Sequence, residues 1–186
     1  MKPRSNGVWK AQRVFVHQDS AELARAFDLP TTHRASSRLL VGRHEWLGLP
    51  DLGPLPWIAK TDTGARTSTL HATNVVVDRD SRIVHFQTFD AQGNMIACRA
   101  PLSRTKTIRN SAGNTEHRAF ILTQARFAGG LSFAIELTLT DRRHMKCPVL
   151  LGRRALSGYF LVDPQSDYLL GNFDDFLSST SSNKTL

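Results

Sequence analysis

"AKTDTGARTSTL", residues 59–70, sets an acid, a hydroxyl and a glycine side by side, Asp62-Thr63-Gly64, behind an apolar-leaning run and ahead of an arginine. Asp and Thr side chains bond the nearby backbone and Gly adopts conformations closed to other residues, so the triplet predicts a tight turn. Two readings follow. Asp62 either caps that turn and does nothing more, or it is a carboxylate held on a tight loop for chemistry.

The surrounding pattern is one of short strands. In "LSFAIELTLTD", Leu131, Phe133, Ile135, Leu137 and Leu139 alternate with smaller or polar residues, which turns one side of a sheet inward. "RIVHFQTF" and "HRAFILTQARF" alternate less cleanly, and "GYFLVD" and "DYLLG" predict two more short strands. Turn signals separate them: "GLPDLGPLP" at 48–56, "DRDS" at 78–81, "DAQGN" at 90–94 and "NSAGN" at 110–114. Many brief strands at near-regular spacing predict an all-β, closed barrel from about Leu39 onward. "RRALSG" at 153–158 and "FDDFLSS" invite short helices, the second being a short C-terminal helix.

Residues 1–37 differ in character. "SAELARAFDL" has Ala21, Leu23, Ala24 and Phe27 at helical spacing behind Ser20 as an N-cap, while "PTTHRASSR" is polar and turn-prone. The segment reads as a partly helical or disordered extension, and residues 176–186 as a frayed tail.

Composition limits the function classes. The chain has 186 residues, 40% of them hydrophobic, which suits one core. No apolar run is long enough to cross a bilayer, and the first residues lack a secretory pattern, so the expectation is a cytoplasmic protein with no membrane partner. Cys98 and Cys147 are too few for a disulfide framework or a zinc site and read as buried thiols. The net charge of +8 asks for an acidic partner: nucleic acid, anionic lipid or an acidic peptide. Lys and Arg are dispersed, and neither an aromatic RNA-binding motif nor zinc-finger spacing is present, which makes nucleic acid the weaker choice.

A second signal lies downstream in "CPVLLGRRAL", where Val149, Leu150 and Leu151 lead into Gly152 and Arg153. In this order and in an all-β context, "DTGA" and "LLGRRAL" resemble the retropepsin-like aspartic peptidases. The likeness sharpens over "VGRHEWLGLPDLG", "AKTDTGARTSTLHA", "LTDRRHMKCPVLLGRRAL" and "FLVDP", which look like a bacterial branch of that superfamily. Members of the branch are often encoded near ATP-grasp glutamate ligases and often labelled "ATP-dependent zinc protease". The resemblance covers about residues 39–172, within a peptidase domain set at 38–175.

That label fails on the residues. His44-Glu45 has no second His four positions on, and no Gly-rich loop ends in Gly-Lys-Ser/Thr, so neither a metal nor a cofactor is expected. The resemblance implies instead that Asp62 is the catalytic residue. In this class two carboxylates share one proton, because like charges so close cannot both ionise. One D-T-G per chain then implies a homodimer with an Asp62 from each subunit at a two-fold axis. Thr63 would bond across that axis, Gly64 would let the backbone approach substrate and Ala65 would stay small for the same reason. "TKTIRNSAGNTEHRAF", 105–120, would be the flap over the site.

One departure concerns specificity. Viral retropepsins usually place an acid after D-T-G-A, and that acid pairs with the Arg of the apolar-apolar-Gly-Arg segment. Here the position is Arg66, so Arg153 needs another carboxylate, Asp141 or Asp163, or is free for substrate. Arg66, Arg109, Arg118 and Arg153 are the candidate substrate-binding residues, since a guanidinium fork suits a carboxylate. Lys60 extends that lining, and His71 is either near the site or a bonded structural histidine. The resulting expectation is an aspartic endopeptidase acting on acidic peptides or glutamate-tailed proteins, oligoglutamate among them. Its rivals are an acidic-peptide-binding module of the same fold with little turnover, and a basic nucleic-acid-binding barrel.

Overall fold

β-branched and aromatic residues in alternating runs, each closed by a turn, give eleven strands and two α-helices in the computed structural model, which describes residues 38–90, 92–109 and 115–181. From Leu39 onward the chain is one unit. The helix expected within residues 1–37 and the hairpin tip at 110–114 lie outside the described residues.

The strands are β1 (Leu39–Val41), β2 (His44–Gly48), β3 (Trp57–Thr61), β4 (Ser68–His71), β5 (Thr73–Asp78) and β6 (Ile83–Phe89). There follow β7 (Met95–Arg109), β8 (Thr115–Phe127), β9 (Ser132–Thr140), β10 (Val149–Leu151), helix α1 (Arg153–Leu156), β11 (Phe160–Val162) and helix α2 (Phe173–Ser181). Nine strands form one sheet in the order β2-β3-β10-β4-β9-β8-β7-β6-β5. Pairing of Leu47 with Phe127 and Gly48 with Arg126 joins β2 back to β8, closing β2, β3, β10, β4, β9 and β8 into a ring. Closure removes the open edges of those six strands. β1 and β11 pair in parallel as a separate two-stranded sheet.

The alternation in β9 behaves as predicted: Ile135, Leu137 and Leu139 are buried, with Leu137 at 0% exposure. They meet Leu47, Trp57, Leu70, Ile121, Phe127 and Leu151 in the interior. Cys98 and Cys147 are both buried free thiols. Beyond the ring, β7 and β8 continue as a long hairpin paired from Leu102–Ile121 out to Arg109–Thr115, which is the hairpin expected over 105–120.

Two expectations fail for local reasons. "DYLLG" is not a strand: Tyr168 has φ of 55°, and the N–H groups of Leu169 and Leu170 donate to the Glu45 carboxylate at 3.0 and 3.2 Å. A left-handed residue cannot continue an extended ladder, and a side-chain acceptor takes the donors a neighbouring strand would need. The tail from 176 is not frayed through Ser181, because α2 is capped and anchored. Asn172 Oδ1 accepts the Asp175 N–H at 2.9 Å while Asp175 Oδ2 accepts the Asn172 N–H at 2.8 Å, a reciprocal capping box. Phe176 is 2% exposed, and its ring occupies the place a Cβ on Gly48 would take.

Glu45 ties the front of the chain to its end. Fully buried, it also accepts the Gly42 N–H at 2.6 Å, so three backbone donors converge on one carboxylate. Burial nevertheless pushes its carboxyl above the usual range. Replacing Glu45 by Leu should lower stability by about 2–4 kcal/mol, because it strands these donors, and Gln should cost less by keeping one acceptor oxygen. Urea unfolding midpoints of the two variants check this.

Candidate functional site

Asp62 stands where β3 runs out. β3 lies parallel to β10, with Ala59, Lys60 and Thr61 opposite Val149, Leu150 and Leu151, and Asp62 extends the ladder by donating its N–H to Leu151 O at 2.9 Å. β10 is flanked on its other side by antiparallel β4. One three-residue apolar strand therefore sits between the two segments that enter and leave the D-T-G loop. Thr61 secures the entry, its Oγ1 donating to Gly42 O at 3.0 Å and its N–H to Arg43 O at 2.9 Å.

The loop then turns about the acid itself. Asp62 Oδ1 accepts the N–H groups of Gly64 and Ala65, both at 2.9 Å. Its other oxygen, Oδ2, makes no hydrogen bond among the described residues, and the side chain is half-buried. Turn capping thus occupies one oxygen of the carboxylate and leaves the other without a hydrogen bond among the described residues. A Cβ on Gly64 would stand 3.2 Å from Asp62 Oδ1, so this glycine leaves room for the carboxylate, in addition to any substrate. Thr63, Gly64 and Arg66 are exposed.

The far wall of the loop comes from the Gly-Arg segment. The backbone N–H groups of Arg153 and Arg154 donate to Ala65 O and Arg66 O at 2.9 and 3.1 Å. The Arg153 guanidinium donates through Nη1 to Thr63 O at 3.0 Å and Gly64 O at 2.7 Å. This corrects the expectation for Arg153: its partners are loop carbonyls, neither Asp141 nor Asp163, and it shapes the loop. Asp163 is occupied by the Gln165 N–H and Ser166 Oγ, and Asp141 by Arg143. Arg118 is also engaged, donating from Nε and Nη2 to Glu116 Oε2 at 2.8 and 2.7 Å. Arg66 makes no ion pair among the described residues, and the side chain of Arg109, at the end of β7, lies outside them.

Sequence reasoning passed over one support, Ser68, and left another, His71, between two readings. Ser68 is 1% exposed, and its Oγ accepts the Gly152 N–H at 3.1 Å. His71 is 2% exposed, its ring stacked on Phe89 at 5.2 Å between centroids, and its Nδ1 accepts the Arg142 N–H at 2.8 Å. A ring nitrogen that accepts carries no proton, which makes His71 a neutral, bonded histidine protonated on Nε2. Burial holds its pKa below the ordinary 6.5, against the pull of Asp141, whose Oδ1 is 3.7 Å from Nδ1. The guanidinium of Arg143 in turn holds Asp141 down at about 2. A cleft of about 320 Å³ opens beside this group, lined by Asn74, Glu116, Thr140 and Asp141 among others; Asp62 does not line it.

Two outcomes follow from this geometry. A Cβ at Gly152 would lie 2.6 and 2.7 Å from the carbonyl carbon and oxygen of Thr67, so Gly152→Ala must move the backbone where the chain leaves the D-T-G loop. It should cost about 3 kcal/mol, read as a fall in Tm. A histidine whose folded pKa is depressed adds stability that is complete above its unfolded value and fades as pH falls through 6.5 and below. Wild-type protein should therefore lose stability between pH 7.5 and 5 more steeply than His71→Asn, in denaturant titrations at each pH.

Comparison with known proteins agrees with this architecture. The sequence model of the family described as "RimB-like: Retropepsin-like aspartic endopeptidase RimB" matches residues 40–172. The chain is 40% identical over 141 residues to a probable alpha-L-glutamate ligase of Parasynechococcus marenigrum, and 33% over 146 residues to one of Shewanella pealeana. These matches take in 73% and 76% of this chain but 30% and 32% of the relatives, so the chain spans about a third of their length. A crystal structure of a Legionella pneumophila protein of unknown function (DUF785) superposes with a TM-score of 0.61 at 25% identity, covering 73% of this chain and 99% of that one. With a catalytic-type D-T-G loop seated on a closed ring of strands and the family's sequence pattern running through both, the chain belongs to the RimB-like family of retropepsin-like aspartic endopeptidases.

Proposed function

We propose that the protein is a homodimeric aspartic endopeptidase that cleaves acidic peptides, with α-linked glutamate tails as its substrate class. The observation that carries this reading is the divided carboxylate of Asp62: Oδ1 is fixed by two backbone N–H groups, and Oδ2 makes no hydrogen bond among the described residues. The exposure of Thr63 and Gly64 supports a second copy meeting the loop there.

The chemistry follows from pairing two such groups. With one proton between them, the ionised Asp62 takes a proton from a water whose oxygen attacks the scissile carbonyl carbon, while the protonated Asp62 of the other subunit gives its proton to the carbonyl oxygen. The tetrahedral diol then collapses: the C–N bond breaks, the protonated carboxyl group delivers its proton to the leaving nitrogen while the other carboxylate takes a proton from a diol hydroxyl, and the dyad returns to its shared-proton state. The N–H groups of Gly64 and Ala65 fix the orientation of each carboxyl group through its Oδ1.

Substrate class rests on charge and on the relatives. The chain carries +8, and Arg66 stands exposed four residues after Asp62 with no ion pair among the described residues. Its curated relatives are probable alpha-L-glutamate ligases in which a segment like this one is part of a longer chain. A hydrolase joined to an enzyme that forms glutamate linkages acts most economically on the same linkage.

Asp62→Asn should abolish cleavage of a glutamate-rich peptide, lowering kcat by about 10³-fold or more while leaving the fold intact by circular dichroism. Wild-type protein should prefer that peptide to its glutamine counterpart. Equal turnover by the variant would reject the dyad, and a preference for the neutral peptide would reject the substrate class.

A further inference from the structure

Arg142 is the cation that neither the turn motif nor the charge pattern singled out. It follows β9 by two residues, in "TDRRHMKC", and its neighbours on either side are paired with each other: Arg143 donates to Asp141 at 2.7 Å. Arg142 itself is half-buried, its guanidinium makes no hydrogen bond or ion pair among the described residues, and its Nε is fully buried with no partner among them. A buried, unpartnered guanidinium nitrogen is costly, because a donor removed from water without an acceptor forfeits its hydration. Surface lysines and arginines escape that cost by reaching into solvent.

The backbone of Arg142 is held at two points. The Arg142 N–H is held by His71 Nδ1 at 2.8 Å, and Arg142 O accepts the Met145 N–H at 2.8 Å, so the residue is pinned from both sides of its own peptide. His71 is in turn locked by its stack on Phe89 and by its place at the end of β4, where its N–H donates to Pro148 O. That puts Arg142 beside the start of β10, the strand whose other end carries Leu151 and the Asp62 ladder bond. Other charges near it are accounted for: Arg118 is bound by Glu116, and Glu116 Oε1 also accepts Thr140 Oγ1 at 3.1 Å. Burial disfavours the Arg142 cation, and it lies near enough to Cys147 and Asp62 for a negative charge there to favour it.

We propose that Arg142 is a specificity-determining residue that binds a substrate carboxylate next to the scissile bond, and that His71 is the positioning residue that presents it. The inference rests on the peptidase reading for what is cleaved but not for what is bound. A side-chain carboxylate of the peptide supplies the acceptors that the guanidinium lacks in the free protein, as a planar fork matches a carboxylate bidentately. An uncharged side chain at the same place would leave the guanidinium buried and unsatisfied, so discrimination comes as much from the penalty on neutral peptides as from attraction to acidic ones.

Binding, separated from turnover, provides the test. In the Asp62→Asn background, the affinity of fluorescein-labelled tetraglutamate and tetraglutamine peptides is measured by anisotropy at fixed ionic strength, with Arg142 intact, as Arg142→Gln and as Arg142→Lys. The expected result is a loss of about tenfold or more for tetraglutamate on Arg142→Gln, a partial loss on Arg142→Lys, and no loss for tetraglutamine. His71→Leu should reproduce the loss, whereas His71→Asn, whose Oδ1 can stand in for Nδ1 as acceptor, should restore it. Unchanged tetraglutamate affinity in a folded Arg142→Gln protein overturns the proposal, and so does equal affinity for both peptides with Arg142 intact. Absence of cleavage by wild-type protein would count against the peptidase reading alone, since binding needs no turnover.

Discussion

The N–H of Asp62 donates to Leu151 O, and the site depends on that one bond between strands far apart in sequence. It makes Asp62 the last rung of the β3–β10 ladder, so the backbone of the acid has the rigidity of a sheet, although its side chain projects from a turn. Everything around it serves that seating. Gly152, without a Cβ, lets β10 leave the ladder against Thr67; Ser68 holds the Gly152 N–H; Arg153 turns back to grip Thr63 O and Gly64 O. A carboxylate on an unsupported loop would lose orientation each time the loop moved, and preorganisation is what a proton-sharing pair requires.

Most of this was legible in the residues because the motifs are short and contiguous. D-T-G predicts its own turn, the apolar-apolar-Gly-Arg run predicts a buried strand ending at a close approach, and β9 announces its inward face by strict alternation. What stayed hidden depends on partners remote in the chain. Arg153 looked like a cation in need of a carboxylate, and it is satisfied by carbonyls about ninety residues earlier. "DYLLG" has the composition of a strand, but Glu45, more than a hundred residues away, takes its donors. Residues 176–181 looked like the beginning of a polar tail, and one buried ring, Phe176, together with the capping box at Asn172, makes them helix.

The basic character of the chain acquires meaning only after its pairs are removed. Arg43 is paired with Asp167, Arg104 with Glu136, Arg118 with Glu116 and Arg143 with Asp141. Under the proposed function, net charge would steer an acidic substrate toward the molecule, and cations without a counter-ion among the described residues would be free to contact it. Arg66 and Arg142 are of that kind, the first exposed on the loop of Asp62 and the second half-buried beside β10. The roles proposed for the acid and for these cations are compatible on one surface, because Asp62 Oδ1 already accepts two backbone donors and the acid needs no arginine to hold it.

Subunit mixing tests most directly whether two copies of Asp62 form one catalytic centre. Wild-type protein and a large excess of inactive Asp62→Asn protein are unfolded together, refolded and assayed on a glutamate-rich peptide, alongside an equimolar mixture. If each centre takes one carboxylate from each subunit, the equimolar mixture retains about one quarter of the activity of the same total protein as wild type, and excess variant suppresses nearly all of it. Activity that instead follows the wild-type fraction linearly, about one half in the equimolar case, would mean that a single chain holds a complete site and would contradict the shared dyad.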